Sequence, residues 1–102
     1  MLKNEKGLKT VLCMQTGNIM LRYYYPISAK NIGHYQAMAI RNVNIETFRN
    51  KAGRTVTFAV LNLYGPSVNV MDEYRRIQNL LMRTACDLKI KEQADKKARL
   101  LY

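Results

Sequence analysis

At 102 residues, 48% of them hydrophobic and with only two prolines, the chain has material for one folded core, no room for a second, and not the composition of a disordered segment. Cys13 and Cys86 are its only cysteines, too few and too far apart for a zinc motif or a disulfide framework. The 17 Lys+Arg against 7 Asp+Glu give a net charge of +10, which attracts polyanions, and phosphodiester backbones are the commonest of these in a cell.

Taken in chain order, residues 1–8 are a lead-in and residues 9–64 carry strand signals. KTVLCMQ (9–15) and IMLRYYY (19–25) flank Thr16-Gly17-Asn18, the pattern of a hairpin with glycine and asparagine at its turn. Pro26, which has no N–H to give a ladder, is expected to end the second strand. PISAKNIGH (26–34) then reads as a loop holding Lys30 and the single histidine, His34.

From Tyr35 to about Phe48 the residues read as one long extended segment. Met38 and Ile40 share one parity, Val43 and Ile45 the other, so a bulge is expected near Arg41-Asn42. RNKAGR (49–54) is a turn with Gly53 at its left-handed position. TVTFAVLNLY (55–64) is apolar on both faces and so belongs in the middle of the sheet.

Gly65-Pro66-Ser67 breaks the strand pattern, and a helix is expected over 67–90, with Asn69 as cap and Asp72 and Glu73 in its first turn. Val70, Tyr74, Ile77, Leu81, Thr84 and Leu88 recur at four-three spacing and make one apolar face. Residues 91–102 lose that face. They form either a projecting helical arm or a tail, with the helix breaking near Lys89–Lys91 in the second case. The expected fold is therefore α+β: a four-stranded, mostly antiparallel sheet in ββββα order with one long C-terminal helix on one face. Many unrelated domains share that order, so it does not settle function.

The charge is uneven. Residues 1–66 hold nine basic and two acidic groups, a balance of +7, and residues 67–102 hold eight and five, a balance of +3. No acid lies between Glu5 and Glu46. The strand pleat divides RYYY (22–25): Tyr23 and Tyr25 join Ile19 and Leu21 on the face toward the helix, and Tyr24 and Arg22 join Met20 on the open one. Tyrosines there either rim a core or stack on bases. Arg22 and Tyr24 are the candidate stacking pair, with Arg49, Lys51 and Arg54 at the basic turn, Lys30 and Arg41 in the loops, and Lys96, Lys97 and Arg99 in the arm as phosphate or partner contacts. Lys6 and Lys9 add to the same field.

No phosphate-binding glycine loop, dinucleotide motif or histidine pair is present, and no metal, cofactor, catalytic residue or small-molecule substrate is expected. His34 with a tyrosine and arginines could build a metal-free ribonuclease, the weakest of the three readings. The leading expectation is a non-enzymatic protein that docks on RNA or DNA, alone or within a nucleoprotein complex such as a ribosome. The alternative is a small modulator, phage-encoded for example, that inhibits an enzyme handling nucleic acid and anchors through Leu100, Leu101 and Tyr102. The apolar run of MLKNEKGLKTVLCM is too short for a secretory leader, and no stretch approaches the roughly 20 apolar residues of a membrane helix. An intracellular, reducing compartment is expected, cytoplasmic by default with a mitochondrial address left open.

Overall fold

The computed structural model describes residues 8–13 and 17–101, with side chains described from 17 to 98. Lys6, Thr16, Tyr102 and the lead-in as far as Gly7 lie outside the described residues, and Lys9, Cys13, Arg99, Leu100 and Leu101 are described in backbone only. The class is α+β, with an antiparallel sheet and one long C-terminal helix. The strands are β1 (Leu8–Cys13), β2 (Asn18–Ile27), β3 (Val43–Arg49) and β4 (Thr55–Pro66), and the helices are α1 (Ile32–Ala37) and α2 (Ser67–Leu101). β2, β4 and β3 form the body of the sheet and β1 pairs along the outer side of β2, giving the order β1-β2-β4-β3.

β4 lies between β2 and β3, which accounts for its two apolar faces: Ala59, Leu61 and Leu63 are buried on one side and Val60 on the other. The covered side holds the core. Ile19, Leu21 and Tyr23 of β2 and Ala59, Leu61 and Leu63 of β4 meet Val70, Tyr74, Ile77 and Leu81 of α2. The helical period places those four on one stripe, so a single rod covers the middle of the sheet. The Tyr23 and Tyr74 rings meet edge to face with centroids 5.1 Å apart, a preferred aromatic geometry. Two polar groups enter this core with partners. Thr84 Oγ1 donates to the Leu80 carbonyl at 2.8 Å, and Gln78 Nε2 donates to the Tyr74 hydroxyl at 3.1 Å.

The long strand expected from Tyr35 is not formed over residues 35–42. A 3₁₀ turn (Ala29–Asn31) runs into α1, and two turns follow before β3 begins at Val43. What reads as a change of strand phase is a turn: Val43 N–H donates to the Ile40 carbonyl at 3.2 Å, and Met38, Ile40, Val43 and Ile45 all pack against the core. The turns use left-handed residues at Ala39 (φ 48°) and Asn42 (φ 67°). Asparagine tolerates that region and alanine is strained there, so no bulge is needed to shift the phase.

Two other boundaries move. β2 passes through Pro26 to Ile27, because beyond Tyr23 it has no described partner on its β1 side and a one-sided strand tolerates proline. β4 continues through Gly65-Pro66, and α2 follows at Ser67 with no loop. Asn69 is therefore inside the helix rather than its cap, and Asp72 and Glu73 fall beyond the first turn. Gly65 has φ 151°, a backbone that side chains rarely adopt, and this is where strand direction turns into helix direction.

α2 runs unbroken past Lys89–Lys91 because residues 67–101 contain neither glycine nor proline and are rich in strong helix formers. At 1.5 Å per residue its 35 residues span about 52 Å. The molecule measures 63 × 31 × 24 Å, with a radius of gyration of 16.5 Å, against about 13 Å for a compact chain of this size. The last turns of the helix therefore extend beyond the sheet.

Leu81→Ala is expected to cost about 2–5 kcal/mol in urea unfolding, since it empties a fully buried site. Ile90→Ala, at an exposed position on the arm, should stay within about 0.5 kcal/mol.

Candidate functional site

The face of the sheet opposite α2 is built by the even-numbered residues of β2, β3 and β4. Among the described residues no helix lies across it, because α1 and α2 share the other side, where Met38 of the segment after α1 lies 3.8 Å through its sulfur from the Thr84 hydroxyl of α2. Tyr24, Phe48 and Phe58, one from each strand, form an aromatic trio at the end nearest the β3–β4 turn. Their ring centroids are 5.9–6.3 Å apart, and Tyr24 stands nearly perpendicular to Phe58. Val60, cross-strand from Tyr24 and Asn44, is only 1% exposed although no helix covers it.

Toward the other end, Arg22 and Asn62 are register partners, and the Arg22 Nε–H donates to Asn62 Oδ1 at 2.8 Å. That bond holds the guanidinium in the middle of the face. Beyond it Met20 and Tyr64 pair across β2 and β4 and are 50% and 61% exposed. Lys9 is the register partner of Arg22 on β1. Glu46, opposite Phe58, is the one acid that the described strands place on this face.

The aromatic end adjoins the hairpin tip, whose shape comes from three hydrogen bonds. Asn50 N–H donates to the Arg54 carbonyl at 2.8 Å, Gly53 N–H donates to the Asn50 carbonyl at 2.9 Å, and Arg54 N–H donates to Asn50 Oδ1 at 2.9 Å. Gly53 takes φ 79°, the conformation that turn requires. Arg49, Lys51 and Arg54 are all exposed there.

The sequence candidates thus separate into groups. Arg22 and Tyr24 are on the open face and Arg49, Lys51 and Arg54 at the adjoining tip. Arg41 is exposed in the turns leading to β3. Lys30 is on the helix side, bonded to Glu92 of α2, and Lys96 Nζ lies 3.9 Å from the same carboxylate oxygen. Lys97 is exposed on the arm. His34 is exposed on α1 and meets the Tyr35 ring edge to face, on the other side of the sheet from Arg22. Arg76 pairs with Glu73 one turn away. Among the described residues no three or more His, Cys, Asp or Glu side chains gather as metal ligands, and no helix is long and apolar enough to cross a membrane.

Comparison with protein-family models, with curated proteins and with solved structures finds no match. The site is therefore read from its own chemistry. Phe48, Phe58, Asn62 and Tyr64 were not apparent as partners of Tyr24 and Arg22 from sequence, since only the β2–β4–β3 register brings them together. Their one sequence signal is shared parity within each strand.

Two outcomes test this geometry. Tyr23→Ala should cost about 3 kcal/mol or more in unfolding, as a buried ring in contact with Tyr74. Tyr24→Ala, half-buried on the open face, should cost about 1 kcal/mol.

Lys30 holds the Glu92 carboxyl below the ordinary carboxylate range, chiefly through their hydrogen bond. An acid depressed in the folded state stabilises when ionised, and that contribution is lost as pH falls through the lowered value. In an NMR titration the Glu92 carboxyl should show a midpoint below that of an unfolded reference peptide. Lys30→Ala should raise it, and an unmoved midpoint would show that the pair does not form in solution.

Proposed function

We propose that this protein binds nucleic acid, RNA or DNA, as a non-enzymatic component that docks through the open sheet face and the adjoining hairpin tip. One observation carries the reading: the sheet face without a helix bears Tyr24, Phe48 and Phe58 in mutual contact, beside a tip with three exposed cations. Rings of that kind offer stacking surface, and a net charge of +10 supplies the long-range attraction. Cations at the tip would neutralise phosphates and release the counterions condensed on them, which makes affinity steeply salt-dependent.

A second reading, a small protein that modulates a nucleic-acid-handling enzyme, draws on the projecting part of α2, where Ile90 is 60% exposed. Its partner would meet the arm rather than the sheet. Ile90→Asp would then abolish complex formation while leaving oligonucleotide binding untouched.

The test is fluorescence anisotropy of the full chain with labelled oligonucleotides over a salt series. Four contacts, from Arg22, Arg49, Lys51 and Arg54, predict a log K against log salt slope of roughly −2.8 to −3.6, and Lys51→Ala or Arg54→Ala should each flatten it by about 1. Absence of binding to every RNA and DNA probe at low salt would overturn the proposal.

A further inference from the structure

Resting on that nucleic-acid reading, we infer that the open face takes single strands, with unstacked bases against Phe48 at one end and Tyr64 at the other. The distribution of charge over the face decides between strand types. The strand register places two cations on this face, Arg22 and its partner Lys9, and one acid, Glu46, a balance of only +1. Three further cations, Arg49, Lys51 and Arg54, stand at the rim in the hairpin tip.

A duplex presents phosphates outward and keeps the flat surfaces of its bases inside the stack. A platform of rings with little net charge and a carboxylate in it is a poor match for such a surface, and its exposed rings would have nothing to stack on. A single strand inverts the relation: bases turn onto the platform and phosphates run to the rim, where Lys51 and Arg54 are. Glu46 enforces the same orientation. It repels a phosphate, whereas the amino group of a base can donate to it.

The length of the platform fits several nucleotides rather than one. Tyr64 and Phe58 are six residues apart on β4, which is about 20 Å along a strand. Arg22 lies between them, fixed by Asn62. Phe48, at 43% exposed, and Tyr64, at 61%, have ring surface to offer. Val60 beneath Tyr24 and Asn44 fills the floor between them.

The experiment compares a labelled 15-nucleotide single strand, as DNA and as RNA, with a hairpin duplex of equal length at fixed low salt. The single strand should bind at least tenfold more tightly. Tyr64→Ala and Phe48→Ala should each weaken it about fivefold to a hundredfold, the range that loss of one stacked base implies, with the salt slope unchanged. Tyr64→Phe should retain binding because it keeps the ring, and Phe48→Leu should not because it keeps only the apolar volume. That last variant preserves the packing with Tyr24 and Phe58, so a fold defect is separable by thermal melting. Equal binding of duplex and single strand, with both ring variants unaffected, overturns the single-strand inference and leaves nucleic-acid binding standing. Failure of both probes to bind overturns the two together.

Discussion

Everything else in the molecule depends on how one helical stripe is spent. Val70, Tyr74, Ile77 and Leu81 give α2 a single apolar face, and that face meets Ile19, Leu21, Tyr23, Ala59, Leu61 and Leu63. At its centre the edge-to-face contact of Tyr74 and Tyr23 joins helix to sheet. Among the described residues no second helix is long enough to cover the other side. α1 is six residues and is itself drawn onto the covered face by Tyr35. With both described helices on one side, the other face of the sheet is left to its own strands.

That platform is maintained by means other than a helix. Tyr24, Phe48 and Phe58 pack against one another, and the Arg22–Asn62 bond pins a cation beside them. Cross-strand pairs of this kind are the ordinary unit of sheet stabilisation. They leave Val60 buried although no described helix lies across the face. The same contacts that tidy an uncovered sheet also present rings in a fixed arrangement, which is why packing and recognition are hard to separate here from sequence alone.

What could be read in the sequence follows the strength of each periodic signal. The apolar stripe of α2, the two-sided pattern of β4 and the division of Tyr23 and Tyr24 onto opposite faces were all legible, because period and composition agree there. The segment from Tyr35 to Asn42 was not. Six residues of helix between short turns give too few repeats for a 3.6 period to stand out, and the left-handed positions fall on Ala39 and Asn42 rather than on glycine. The same gap concealed the site. Without knowing where β3 begins, the register that places Phe48 near Tyr24 cannot be drawn. Lys30 looked like a free loop cation for a related reason, since its partner Glu92 is 62 residues away and its meeting with it depends on α2 continuing past the sheet.

The direct junction of β4 with α2 also sets an order of events during synthesis. β4 pairs with both β2 and β3, so every strand of the sheet has been encoded by Pro66. Its cover is encoded only afterwards, as far as Leu81. At about 5–20 residues per second, the stripe of α2 is completed roughly one to three seconds after the last strand. The positive charge is concentrated in the part made first, +7 of the net +10 lying in residues 1–66, and charge of one sign disfavours association of copies of the chain.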